Sequence, residues 1–222
     1  MHIMEGFLDP IWCAVWFVIA IPIVAFGAKK VIELMRDHPE HKMTVALSGA
    51  FIFLLSSLKI PSVTGSSSHP TGTGFAVVMY GIATCAFLST IVLIFQAILL
   101  AHGGLTTLGA NICSMGIIGP AVGLGVWLLM IKGGVKIPIA LFCATLVADL
   151  FTYVVTAFQM SLNFGFEYFV DYLTNYAVTQ IPLAIVEGIL FFMFGMYLMN
   201  NKPEIFDIAQ GVAEANAKKE GA

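Results

Sequence analysis

Charge is what this chain has least of. Asp, Glu, Lys and Arg together make up 10% of its 222 residues, against roughly 25% in ordinary soluble domains. A soluble globular domain is therefore excluded, and so is any basic patch of the kind that tracks nucleic acid. Cysteine is scarce and badly spaced for chemistry. Cys13, Cys85, Cys113 and Cys143 all lie inside apolar runs with no CxxC pair, so they read as small packing residues rather than disulfides or a zinc site. The amino end lacks the basic n-region of a cleavable signal, since Glu5 and Asp9 precede the first apolar run. No stretch resembles a P-loop, so nucleotide hydrolysis is not expected in this chain.

What is present in quantity is apolar sequence: 59% of the residues, with a mean hydropathy of +0.94. In lipid only helices and closed barrels satisfy the backbone, and apolar runs of this length predict an all-α polytopic membrane protein. Spans are expected at about 10–34, 43–58, 108–131, 137–160 and 177–199, with Pro22 a place for a kink in the first. The run 75–101 is too long for one ordinary span and is interrupted at Gly81. Read as one helix it makes six spans; divided at Gly81 it makes seven. Basic residues arbitrate. Lys29, Lys30, Arg36 and Lys42 mark one connection, Lys132 and Lys136 another, and Lys202, Lys218 and Lys219 the end of the chain. Seven segments put all three on the cytoplasmic side. The expected architecture is a bundle of about seven transmembrane helices, the third short and packed among its neighbours, with the amino terminus outside and the carboxyl terminus inside. Residues 1–199 are expected to form one membrane-embedded domain, and 200–222 a polar cytoplasmic tail.

The opening Met1-His2-Ile3-Met4-Glu5-Gly6 carries three nitrogens in chelating order. The α-amine of Met1 and the amide of His2 close a five-membered ring on a metal, and the amide and Nδ1 of His2 close a six-membered one. Such planar nitrogen sets suit Ni(II), Cu(II) or low-spin Co(II). The geometry needs a free amine and a retained Met1; otherwise His2 is an ordinary second residue. In the seven-segment topology His2, His69 and His102 share the outer face, whereas His38 and His41 sit with the cytoplasmic lysines. His69, in the loop Ser66-Ser67-Ser68-His69-Pro70, offers the fourth planar ligand; the alternative is a solvated loop histidine. His102 opens His102-Gly103-Gly104-Leu105-Thr106-Thr107-Leu108-Gly109-Ala110-Asn111. It is either a ligand or a support for the terminal segment, with Thr106 and Asn111 supplying polar atoms at the mouth of the bundle and two glycines allowing close backbone approach. The alternative there is a helix C-cap followed by a turn. Gln96, Asp149, Gln159, Gln180 and Glu187 fall inside spans, where polar groups are costly and face partners or cavities. Structural pairing is the preferred reading, and a proton relay the other. Ala46 and Ala50 put small residues four apart on one helix face, which lets helices approach closely.

Together these stretches resemble the CbiM/NikM family, substrate-binding subunits of energy-coupling factor transporters for cobalt and nickel. The opening through Leu8, the run from Phe95 to Asn111, Ser114-Met115-Gly116-Ile117-Ile118-Gly119-Pro120, Ala148–Tyr153 and Val178–Gly188 carry the likeness, which extends to about residue 199. The resemblance implies seven helices and one divalent ion held by the Met1 amine, the His2 amide and ring, and His69. It implies no permanently bound cofactor; Co(II), or Ni(II) in the alternative, is cargo. It also implies partners: a CbiQ-like transmembrane coupling protein met by the Ala46 and Ala50 face, two CbiO-like cytoplasmic ATPases, and a separate CbiN-like accessory membrane protein. Cobalt for cobalamin synthesis is preferred over nickel, although a four-nitrogen plane favours Ni(II) on ligand-field grounds. Two other classes stay open: an intramembrane metal enzyme using His2, His69 and His102, and a structural subunit with an accidental chelate.

Overall fold

A computed structural model of the protein describes residues 2–62, 66–207 and 209. Helix α1 (Pro10–Asp37) starts with proline in its first turn, where the missing N–H costs nothing, and runs through Pro22 to the break at His38. A 3-10 turn, Pro39–His41, leads into α2 (Lys42–Ser57). Two short strands, β1 (Ile60–Pro61) and β2 (Ser67–Ser68), pair antiparallel and frame the loop before His69. Helix α3 (Thr73–Leu100) follows, then α4 (Leu108–Asn111), a π-helical stretch Ile112–Ile118, and α5 (Gly119–Lys132). The chain finishes with α6 (Ile137–Phe164), the 3-10 turn Phe166–Tyr168, α7 (Phe169–Asn201) and a further turn Pro203–Ile205.

Five of these segments are long and apolar enough to cross a membrane: α1, α3, the continuous stretch Leu108–Lys132, α6, and Phe166–Asn201. α2 is apolar but has 16 residues. The break expected at Gly81 is present. Its φ of 79° and ψ of 174° lie outside helical space and divide α3 into two pieces, a conformation that glycine adopts without penalty. Every residue from Thr73 to Tyr80 is buried, so the short first piece is enclosed by protein rather than lipid. The last helix starts at Phe169, eight residues before the expected Ala177, because the polar Asp171, Thr174 and Asn175 are accommodated on its exposed first turns.

The polarity of the bundle is inverted relative to a soluble protein. Ile11, Val18, Leu129 and Val178 are each more than 70% exposed on its outside, as a surface facing lipid requires. Gln96, Asp149, Gln159, Gln180 and Glu187 are all buried within it. Asp149 and Glu187, which have no basic partner in the spans, are met by amides instead. Gln180 Nε2 donates to Asp149 Oδ2 at 2.6 Å. The N–H groups of Thr71 and Gly72 donate to Glu187 at 2.6 and 2.9 Å. The four cysteines are free thiols, three of them buried. Beyond 199 the expected polar tail is not wholly detached: Phe206 and Ala209 are buried against the bundle. Residues 208 and 210–222 lie outside the described residues.

Candidate metal centre

Three segments distant in sequence meet at one end of the bundle. One ligand atom from each of His2, His69 and His102 lies within 4.8 Å of the other two, and all three side chains are buried. His2 Nδ1 is 2.6 Å from His69 Nε2. Two imidazole nitrogens bound cis to one ion at about 2.0–2.1 Å would stand roughly 2.8–3.0 Å apart, so the two atoms already have nearly the spacing of adjacent ligands. His69 Nδ1 is 2.8 Å from the Pro70 carbonyl oxygen. A carbonyl only accepts, so the proton of a neutral His69 sits on Nδ1 and Nε2 is left with its lone pair. Burial lowers the pKa of His2 and of His69 well below the usual imidazole value. Burial, assisted by the charge of Lys59, pushes His102 down to about 3. All three rings are therefore neutral at physiological pH, the state in which imidazole binds metals.

The terminal segment is held by its backbone. Asn111 grips Ile3 with both ends of its amide: Ile3 N–H donates to Oδ1 at 2.8 Å, and Nδ2 donates to the Ile3 carbonyl at 3.1 Å. Thr107 Oγ1 donates to the same carbonyl at 2.7 Å. This pins the residue immediately after His2. Thr106 acts further along, donating its N–H to the Glu5 carboxylate at 3.2 Å and accepting from Gly6 N–H at 3.4 Å. The Thr106 hydroxyl first, and then the N–H groups of Thr106 and Leu105, hold the Glu5 carboxyl below the usual carboxylate range. The close approach expected of the glycine pair is real. A Cβ on Gly104 would stand 2.6 Å from Glu5 Cα and 2.7 Å from Glu5 N, so a side chain there would displace the terminal segment.

The loop bearing His69 is held from the opposite side. Tyr153 on α6 accepts from His69 N–H at 2.9 Å and donates to its carbonyl at 3.0 Å, while Gln180 Nε2 donates to that carbonyl at 3.2 Å. Ser68 pairs with Thr179 at 2.7 Å, and Tyr176 donates to Ser66 at 2.8 Å. Glu187 completes the grip through Thr71 and Gly72. The serine-rich loop is thus anchored hydroxyl by hydroxyl rather than solvated. His102 Nε2 bonds Ser67 Oγ at 2.8 Å, and its ring packs on His2 with centroids 4.0 Å apart. His102 therefore braces both ligand rings.

The sequence-predicted residues His2, His69, His102, Thr106 and Asn111 all converge here. Met1 lies outside the described residues. Ala46 and Ala50 are elsewhere, exposed on α2. Thr107, the other threonine of the pair read as polar atoms at the mouth, joins the converging residues, whereas sequence reasoning missed Glu5, Tyr153 and the loop-holding role of Glu187. Thr107 and Tyr153 lie within stretches that carry the family likeness, but nothing in spacing alone pairs Tyr153 with a loop 84 residues away.

A helical bundle of membrane-spanning length with buried neutral imidazoles at one end belongs to the class of polytopic membrane proteins with an enclosed candidate metal site. The particular family follows from comparison. Residues 2–205 match the CbiM family, described as the cobalt uptake substrate-specific transmembrane region, and the chain belongs to that family. It is 50% identical over 209 residues to the CbiM protein of Methanocaldococcus jannaschii, named for cobalt transport, covering 92% of this chain and 90% of that one. The similarly named protein of Methanosphaera stadtmanae is 53% identical over 209 residues, covering 92% and 93%. The fold also resembles the crystal structure of a truncated transition metal transporter, with a TM-score of 0.81, 25% identity, and coverage of 90% of this chain and 99% of the other. The protein is thus a multi-pass membrane component of the cobalt uptake family, whose relatives are named as transport proteins.

Proposed function

We propose that the protein captures Co(II) at the external face, as the substrate-specific component of an energy-coupling factor transporter that drives uptake with ATP. The cargo then supplies cobalamin synthesis. The observation that carries this reading is the 2.6 Å approach of His2 Nδ1 to His69 Nε2 in a buried, neutral, fully braced setting. The Met1 amine and the His2 amide nitrogen complete a four-nitrogen plane. Ni(II) fills the same plane in the alternative reading, and direct competition between the two ions decides the preference.

α2 and the two pieces of α3 bring the segment count to seven. In that count the connections bearing Lys42, Lys132 and Lys202 share the cytoplasmic side, and the histidine cluster faces outward. The partners are a coupling protein in the membrane, two ATPases below it and a small accessory membrane protein. Ala46 and Ala50 are exposed on α2 beside Met43 and Leu54, which supports a small-residue face for close approach by the coupling protein. The Ala46→Leu/Ala50→Leu double variant should bind metal normally and lose ATP-driven uptake. Normal co-purification and transport would reassign both residues to lipid contact.

The decisive test is one residue added before Met1. It moves the amine out of chelating position and leaves the fold alone. Equilibrium dialysis of the purified protein against CoCl2 and NiCl2 should show binding lost. Unchanged binding would remove the amine from the ligand set and reopen the three-histidine enzyme reading. A protein that binds neither ion in its unextended form would leave a structural subunit.

A further inference from the structure

One buried amide in the bundle has no part in the scheme so far. Gln159 lies in α6 and is fully buried. Its Nε2 donates to the Ala110 carbonyl at 3.0 Å. A carbonyl only accepts, so the amide can be turned only one way. Its Oε1 is buried and has no hydrogen-bond partner among the described residues. An apolar side chain of similar volume would strand no acceptor there, so packing alone does not call for an amide. What the amide supplies is the donor to Ala110. Ser114 Oγ reaches the same carbonyl at 3.2 Å from within its own stretch of chain, whereas Gln159 ties it to a different helix. That carbonyl belongs to the peptide unit joining Ala110 to Asn111, and the N–H of the same unit donates to the Thr107 carbonyl at 3.1 Å. Both ends of the unit are therefore held, where α4 passes into the π-helical stretch. The Asn111 side chain, which grips Ile3 beside His2, leaves from that plane.

We propose that Gln159 is a positioning residue for the terminal segment: it fixes the peptide unit from which Asn111 reaches Ile3, and so sets His2 against His69 from the helix that already holds His69. Tyr153, six residues earlier on α6, bonds both the N–H and the carbonyl of His69. Asn163, four residues later, accepts from Asp9 N–H at 2.8 Å, where the terminal segment enters α1. At 3.6 residues per turn the three side chains fall within about a third of the circumference of α6, and at 1.5 Å per residue they span about 15 Å. Two ligand-bearing segments 67 residues apart are thereby referred to one helix. Held from two unrelated elements, the ligand pair would drift with every motion between them. Held from one, its spacing is set before an ion arrives, which lowers the ordering cost of binding.

The inference rests on the proposed metal site, and the experiment separates the two. Gln159→Met, Asn111→Ala, Tyr153→Phe and the two double variants that combine Gln159→Met with each of the others would be purified as full chains beside the wild type. Equilibrium dialysis would give the affinity for CoCl2. Nuclear magnetic resonance of the ion-free protein would give the hydrogen-exchange rates of the Ile3 and His69 amide protons. Gln159→Met should bind about three- to tenfold more weakly, the worth of one hydrogen bond. Its Ile3 N–H should exchange faster, and its His69 N–H at the wild-type rate. In the Asn111→Ala background Gln159→Met should weaken binding no further, whereas with Tyr153→Phe the two losses should add. Gln159→Leu carries the test if Gln159→Met fails to fold. Wild-type affinity in Gln159→Met, additivity with Asn111→Ala, or equal acceleration of both amide protons would each overturn the role of Gln159. Absence of CoCl2 binding by the wild type would instead overturn the metal site, and the two exchange rates alone would then decide whether Gln159 positions the terminal segment.

Discussion

Among its described residues the chain gathers potential metal ligands twice. At one end are His2, His69 and His102; at the other, between α1 and α2, are His38, Glu40 and His41. Both groups bring three ligand atoms within 4.8 Å of one another. α1 alone separates them by about 42 Å, at 1.5 Å per residue over its 28 residues. Ligand type and proximity do not distinguish them; surroundings do. Around His38 and Glu40 the side chains are more than half exposed, and Glu40 already pairs with His38 Nδ1 at 3.2 Å and His41 Nε2 at 3.8 Å. Water and a resident carboxylate compete there for every donor. Around His2 and His69 both rings are buried, burial keeps them neutral, and the Pro70 carbonyl fixes which nitrogen of His69 faces inward. A binding site therefore differs from a coincidence of ligands in the groups behind the ligands.

The sharpest way to break this comparison is to remove imidazoles from each end in turn. His2→Ala should abolish measurable Co(II) binding, since the ring is lost and the amide loses its chelate partner. By analogy with structural metal sites whose binding totals about 10–16 kcal/mol, a cost of several kcal/mol is expected, or more than about a hundredfold in affinity. The His38→Ala/His41→Ala double variant should leave dialysis measurements within about twofold of wild type. The reverse result would move the site to the exposed end. His69→Ala should fall between these, because the terminal donors remain, and an unchanged affinity would transfer the fourth position to His102 or water.

Asn111→Ala tests whether the groups behind the ligands matter. It strands the buried Ile3 N–H and leaves the Ile3 carbonyl to Thr107 alone, at about 1–3 kcal/mol for an unsatisfied buried group. Cobalt affinity should drop about tenfold while the helical circular dichroism of the protein stays the same. A variant that binds as wild type would show that the terminal segment needs no clamp.

Acidification gives the smallest and most graded effect. The folded pKa values of His2, His69 and His102 lie below their unfolded values because the charged form is buried. Between the two values the unfolded chain binds more protons, so stability rises with pH through that window. Their contribution is complete above about pH 6.5, the unfolded imidazole value. It declines as pH falls below that, toward about 3 for His102. Melting of the metal-free protein should move to lower temperature from pH 7.5 to pH 5. Replacing His102 with Gln should flatten the slope.

Much of this molecule was legible in its sequence. Hydropathy alone marked the helices, because a backbone in lipid must satisfy its hydrogen bonds within the segment that carries it. The interruption at Gly81 was legible because glycine reaches backbone angles closed to other residues. The ligand types were legible in Met1-His2 because a chelate ring is a matter of adjacent atoms. What adjacency could not supply is everything that depends on two segments arriving together. The two buried carboxylates are an instance: in the sequence Glu187 looks like an unpaired charge in a span, and its partners are the N–H groups of Thr71 and Gly72, more than a hundred residues away. Tyr153 is another, with one hydroxyl holding both ends of the His69 peptide unit.

The sequence by itself determined the class of the protein, its helices and the chemical kind of its candidate ligands, since these rest on local composition and covalent spacing. The tertiary structure decided that His2 meets His69 rather than solvent, and that this group, not His38 with His41, is the enclosed one. The physical reason is that burial of the rings, and the bonds from Tyr153, Gln180 and Asn111 that hold the segments carrying them, come from neighbours that only the folded bundle brings into contact.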